Sequence, residues 1–292
     1  MYVATTPFVA IEMYPKEAAG GGSAGYSVRK QDKMITSASN GQIKQIIQLT
    51  KRAKLRRETG LFVAEGRKMF REAPESLVFK VYVAEPLTEE EELMRRVRTF
   101  PYEIVSRQVF EQMSDTQTPQ GILTVLRTPS YKMEDLLRGA DSPFLVVLED
   151  LQDPGNAGTI FRTAEGAGAD GIILTSTCVD VTNPKVIRST MGSIYRMPFL
   201  YVESVLSLKK QLEKYPIRFF AAHLEGRHTY DREDYTGGTA FLIGNEGKGL
   251  TEQAAAAADC RIRIPMCGRV ESLNAAMAAG ILMYEAARQR RG

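Results

Sequence analysis

Four runs in the second half of the chain are nearly continuously apolar, FLVVLED (144–150), GIILT (171–175), FLYV (199–202) and IRFFAAH (217–223), and strands TAFLIG (239–244) and RIRIPM (261–266) complete the set. A strand with one wet face alternates polar and apolar residues, so runs of this kind require burial on both faces. Between them lie segments with helical periodicity: from Asn156 to about Ala167, from about Pro184, through Tyr215, from near Thr251, and a long final one from about Ser272. This alternation predicts an α/β domain, a mostly parallel sheet wrapped by helices. Such a sheet takes its ligands beyond the carboxyl ends of its strands, so the loops after the strands are where chemistry is expected.

The first half repeats the alternation less cleanly. An amphipathic basic helix from Gln42 to about Arg57 is followed by strand LFVAE, a helix from Arg67, strand VFKVYVAE, helix EEEELMRRVR, strand YEIVS, helix RQVFEQMSD and strand GILTVLR. These predict a small α/β domain over residues 39–127, a linker over 128–143 where prolines flank a change of composition, and a second domain over 144–292. Residues 1–38, with GGGSAG and few periodic apolar positions, read as a flexible tail, and Met34 is a candidate natural start.

Composition excludes several classes. No stretch reaches the roughly 18–20 apolar residues of a membrane span, and the opening residues lack a signal-peptide pattern, so a cytoplasmic protein that binds no membrane is expected. Three cysteines without a CxxC pair and two histidines, His223 and His228, argue against a disulfide framework, a zinc cluster or any other metal site. A net charge of +3 says little, but Lys44, Lys51, Arg52, Lys54, Arg56 and Arg57 fall in one segment free of acidic residues. That is the footprint of a phosphate-backbone contact, or alternatively a solvated helix face.

A literal GxGxxG at Gly166, Gly168 and Gly171 closes a helix and precedes a strand, the reverse of what a pyrophosphate site needs, so it reads as a helix cap. Three other segments do follow strands. In DPGNAGTIFRTA, Asn156 is placed to cap the helix and Arg162 is flanked by small and apolar residues, which suits either a surface cation or a guanidinium aimed at a phosphate. FLIGNEGKGL offers three glycines for close backbone approach and Glu246 as its only carboxylate, which an ordinary Gly-rich turn would also do. In IPMCGRVESLNAA, Ser272 is placed as an N-cap, and Ser272 and Asn274 flank Leu273 after a loop rich in free backbone groups.

Together and in this order, NAGTIFRTA, LIGNEGKGL and IPMCGRVESLNAA resemble the three signature motifs of the SpoU/TrmH family of RNA ribose 2′-O-methyltransferases, within the SPOUT superfamily. The resemblance covers about residues 143–291, and the upstream segments TGLFVAEG and SDTQTPQGILTVL resemble the small RNA-binding domain that precedes the catalytic domain in many relatives. It implies a Rossmann-like parallel sheet whose C-terminal segment is threaded into a trefoil knot, S-adenosylmethionine as cofactor, no metal, and a homodimer with the catalytic pocket near its interface. By position, Gly244, Ile264 and Leu273 would contact the cofactor largely through backbone, with Leu224, Asn245, Pro265 and Met266 nearby, while Asn156, Arg162, Glu246, Ser272 and Asn274 sit at the family's polar active-site positions. The implied substrate is RNA read by the first domain, ribosomal RNA (23S) in preference to tRNA. The alternatives are a tRNA methyltransferase and a non-catalytic RNA-binding or ribosome-assembly factor of the same fold; a dehydrogenase fails on the misplaced glycines.

Overall fold

The computed structural model describes residues 34–137 and 141–291. The chain divides into two compact units with the main boundary between Thr128 and Pro129, the short stretch Glu72–Pro74 being grouped with the second. The first contains α1 (Gly41–Lys51), α2 (Ala53–Thr59), β1 (Leu61–Glu65), α3 (Arg67–Glu72), β2 (Val78–Ala84), α4 (Glu91–Val97), β3 (Tyr102–Val105), α5 (Arg107–Met113) and β4 (Ile122–Arg127). Its strands form a four-stranded sheet of order β1-β4-β2-β3, parallel only between β2 and β3. Ile43, Ile46 and Leu49, spaced as one face of α1, pack with Val109, Phe110 and Met113 of α5 against Val63, Tyr82 and Val125.

Two expectations are corrected here. The predicted basic helix is two helices, because Arg52 adopts an extended conformation (φ −113°, ψ 106°) that ends α1 and starts α2. The break folds Arg56 back onto the end of α1: its Nη1 donates to the carbonyls of Leu49 (2.9 Å) and Thr50 (3.0 Å), and the residue is only 3% exposed. A cation on carbonyls that a helix terminus leaves open is a structural group, so Arg56 leaves the set of candidate phosphate contacts. The second correction concerns the tail, whose residues 1–33 lie outside the described residues. Ile35 is buried and bridges the outer edge of β3, donating its N–H to Ile104 O (2.9 Å) and accepting from Ser106 N (3.0 Å).

The second unit contains α6 (Met133–Leu137), β5 (Phe144–Leu148), α7 (Pro154–Ala167), β6 (Gly171–Thr175), α8 (Pro184–Thr190), β7 (Phe199–Val202), α9 (Val205–Leu212), β8 (Ile217–Ala222), β9 (His228–Thr229), β10 (Gly238–Ile243), α10 (Glu252–Ala257), β11 (Cys260–Arg263) and α11 (Ala275–Arg290). The stretch read as a linker carries α6, whose Leu136 is 1% exposed within the core of this unit. Seven strands make one parallel sheet of order β7-β6-β5-β10-β8-β11-β9. The central β5, β6 and β10 are buried at every position, as their apolar runs demand, whereas β7 at one margin leaves Tyr201 43% exposed. Chain order reverses between β5 and β10, which puts the ligand crevice of such a sheet beyond their carboxyl ends. Among the described residues no helix is long and apolar enough to cross a membrane.

Candidate active site

Four loops meet at the carboxyl ends of β5, β8, β10 and β11. After β5, Asp150 takes a left-handed conformation (φ 52°) and the chain turns into α7. The cap of α7 is Asp153, whose carboxylate accepts from Asn156 N at 2.7 Å, so Asn156 lies inside the first turn rather than at the cap. Gly168, in the left-handed region at φ 76°, ends α7 and Gly171 opens β6, so the GxGxxG is a helix cap followed by a strand.

The loop after β10 closes on itself. Asn245 and Gly249 exchange backbone hydrogen bonds (3.0 and 2.9 Å), and the Asn245 side chain accepts from Gly247 N and Lys248 N while donating to Asp150 O at 2.8 Å. Gly244 is where this turn crosses its own return: a Cβ there would lie 2.2 Å from the Gly249 carbonyl carbon and from Leu250 N. Only a hydrogen fits.

Glu246, held out by that turn, organises the loop after β5. Its carboxylate accepts from Asp153 N (2.8 Å), Gln152 N (3.2 Å) and Asn156 Nδ2 (3.1 Å). Burial pushes this carboxyl up, but the amides of Asp153, Glu246 itself and Gln152, with the Asn156 side chain, outweigh burial and hold it below the usual carboxylate range. The third motif joins through Asn274, the N-cap of α11 in place of Ser272. Its Oδ1 accepts from Ala276 N (2.9 Å) and Met277 N (3.3 Å), which leaves Nδ2 to donate to Asn156 Oδ1 at 2.9 Å. Since the helix N–H groups fix the Asn274 amide, the relay Asn274→Asn156→Glu246 runs in one direction and ends on an ionised carboxylate.

Beside this relay lies a cavity of about 360 Å³. Leu224, Gly244, Asn245, Ile264, Met266 and Leu273 line it, as do Glu246 and Ser272, whereas Pro265 is exposed between two lining residues. Asn156 and the exposed Asn274 are not on its wall and join it through Glu246. Arg162 is not gathered in: it is exposed on α7, makes no hydrogen bond or ion pair among the described residues, and stands about 9 Å along the helix axis from Asn156 at 1.5 Å per residue. Sequence reasoning missed the roles of Gln152 and Asp153, although Asp153 opens the DPGNAGTIFRTA segment and Gln152 directly precedes it, and it used His223 only to argue against a metal site.

A second cleft, of about 890 Å³, lies in the first unit. Arg67 and Arg107 stand on its wall with Gln117 and Gln120, over a floor that includes Leu87 and Phe110. Of the candidate phosphate contacts, Lys44, Lys51, Arg52, Lys54 and Arg57 are exposed on α1, α2 and the break between them. Away from both cavities, His228, Glu233 and Cys260 form the one trio of potential metal donors among the described residues. The Glu233 carboxylate there pairs with His228 Nδ1 (2.8 Å) and Arg218 Nη2 (3.3 Å), and a guanidinium at that position opposes a second cation.

Comparison with known proteins decides what this arrangement belongs to. The profile of the SpoU rRNA Methylase family matches residues 143–284, and that of the MRM3-like substrate binding domain matches residues 40–124. The 23S rRNA guanosine 2′-O-methyltransferase RlmP of Bacillus subtilis is 30% identical over 86% of this chain and 98% of its own. The chain belongs to the SpoU rRNA methylase family. Among solved structures, the AdoMet-bound rRNA methyltransferase of Sinorhizobium meliloti superposes with a TM-score of 0.77 at 31% identity, covering 88% of this chain and 97% of that one. AviRb of Streptomyces viridochromogenes in complex with AdoMet superposes with a TM-score of 0.79 at 27% identity, covering 86% and 98%. The α/β fold with its parallel sheet is the one these methyltransferases share.

Proposed function

We propose that this protein transfers a methyl group from S-adenosylmethionine to a ribose 2′-hydroxyl of ribosomal RNA in the cytoplasm. The observation that carries the reading is the convergence of Asn156, Glu246 and Asn274 in one directed relay against a cavity walled by Gly244, Ile264, Met266 and Leu273. The cavity fits the cofactor: Gly244 gives its wall a stretch without a side chain, its apolar residues suit an adenine, and the ionised Glu246 carboxylate suits a cationic ligand. When bound, S-adenosylmethionine supplies an electrophilic methyl whose sulfur leaves as a neutral thioether.

The residues of the chain then have an alignment task, because in-line displacement at a methyl needs the nucleophile within a narrow cone and a weakly acidic hydroxyl must lose its proton. Ser272, exposed at the cavity, and Asn274 hold the ribose. Glu246 keeps the loop after β5 and the relay in register. Arg162 clamps the phosphate beside the reacting sugar; a guanidinium stays charged and is a poor base, so the clamp is its role and the hydroxyl proton leaves to the phosphate it holds in place. Its distance from the cavity in a single chain is met by a homodimer, in which the α7–α11 face bearing Arg162 and the exposed Met277 (61%) and Tyr284 (49%) packs on a second copy. The segment between β11 and α11 would form the trefoil knot of the family. No metal is required by this chemistry.

RNA selection belongs to the first unit. The named relative RlmP acts on 23S rRNA, which favours that substrate over tRNA. Mapping ribose methylation in total RNA from cells with and without the gene is expected to lose one mark in 23S rRNA; loss in tRNA instead would overturn the substrate, and no loss would return the protein to a binding role. Replacing Lys44, Lys51, Arg52 and Lys54 with glutamine is expected to flatten the log–log salt dependence of RNA affinity by about 3, at roughly 0.7–0.9 per phosphate contact. An unchanged slope would move the RNA path to the Arg67–Arg107 cleft.

A further inference from the structure

We propose that His223 and Glu225 form a clamp for the ribose hydroxyls of the bound cofactor, an inference that rests on the cavity being the S-adenosylmethionine site. β8 ends at Ala222, and the next four residues make a turn closed twice: Gly226 N donates to His223 O at 3.0 Å, and Glu225 N donates to His223 Nδ1 at 3.2 Å. The turn hangs on the neighbouring strand, since His223 N donates to Ile262 O at 2.9 Å. Gly226 approaches β11 so closely that a Cβ would lie 2.6 Å from the Ile262 carbonyl carbon. His223, Leu224 and Glu225 all line the cavity.

The hydrogen bond to Nδ1 decides the chemistry of the ring. A neutral imidazole that accepts at Nδ1 carries its proton on Nε2, so His223 presents a donor whose orientation the turn has already fixed. Two residues on, Glu225 presents an acceptor. A donor and a carboxylate side by side at a strand end match a vicinal diol, each of whose hydroxyls both donates and accepts, and doubly wound sheets hold nucleotide riboses with an acidic residue in this way. The amino-acid end of the cofactor fits less well here: its carboxylate would meet Glu225 and Glu246, and Lys248 and Arg263, the cations on the cavity wall, suit it better.

The test is calorimetric binding of S-adenosylhomocysteine and of its 2′- and 3′-deoxyribose counterparts by the full chain, with melting curves to confirm folding. His223→Asn keeps an acceptor where Nδ1 stood, and so the turn, but has no donor at Nε2; His223→Gln restores an amide near Nε2. The Asn variant is expected to bind S-adenosylhomocysteine about tenfold more weakly, as for one lost hydrogen bond, and the Gln variant to recover to within threefold. At least one deoxy counterpart should bind wild type and the Asn variant within twofold of each other. Equal weakening towards all three ligands, or none at all, overturns the clamp. Failure of the wild type to bind S-adenosylhomocysteine overturns instead the assignment of the cavity on which the clamp stands.

Discussion

Replacing Arg162 with alanine is expected to lower methyl transfer to RNA by about 10³-fold or more, while cofactor affinity stays within twofold of wild type. The magnitude follows from the task assigned to the guanidinium: misplacing a reacting ribose by an ångström costs on the order of 10² in rate, and losing a preorganised charge costs a further factor of similar size. The separation of the two effects follows from position. Arg162 is exposed on α7 and touches neither the cavity nor the Asn274–Asn156–Glu246 relay, while the buried Phe161 and Ala164 hold the helix in the core without it. Alanine is also the best helix former, so stability should change by less than about 0.5 kcal/mol. Single-turnover methyl transfer and calorimetry on the same preparation read both quantities. Arg162→Lys keeps the charge but loses the planar fork, and should fall between wild type and alanine. Turnover above a tenth of wild type in the alanine variant would remove Arg162 from the reaction.

The second large effect is expected at Gly244. In Gly244→Ala the new methyl would overlap backbone, 2.2 Å from Gly249 C and Leu250 N and 2.4 Å from Gly249 O, so no rotamer change relieves it and the turn over 245–249 must move. That turn carries the Asn245 amide onto Asp150 O and the Glu246 carboxylate onto the loop before α7. Cofactor affinity should fall more than a hundredfold, with a stability loss of about 2–4 kcal/mol of the kind overpacking causes. Calorimetry and urea denaturation measure the two; an affinity within threefold of wild type would mean that the turn is not part of the cofactor wall.

The sheet of the second unit was legible because β5, β6 and β10 need apolar residues on both faces and no other element asks for that pattern. Which strands lie at the margins was not, since FLYV reads like a central strand and only the pairing order shows that β7 is peripheral. Cap positions were misjudged for a related reason. Asp, Asn and Ser are equally good caps, and which of Asp153 or Asn156, and Ser272 or Asn274, leaves the helix depends on tertiary bonds; Asn274 is chosen by its contact with Asn156. Arg56 was misread because its burial follows from a backbone break at Arg52 that no propensity announces. The cofactor wall is largely backbone, invisible to residue chemistry, and came into view only through the order of three motifs. His223 became informative once Nδ1 was seen to be occupied.

Ile35 has a bearing on solution behaviour. By seating its backbone against Ile104 and Ser106, it covers the outer side of β3, where the four-stranded sheet would otherwise offer free N–H and C=O groups to any extended peptide. A recombinant version of this protein begun at Ser39, where the first predicted domain starts, would uncover that margin and invite strand addition between molecules; one begun at Met34 keeps the cover in place.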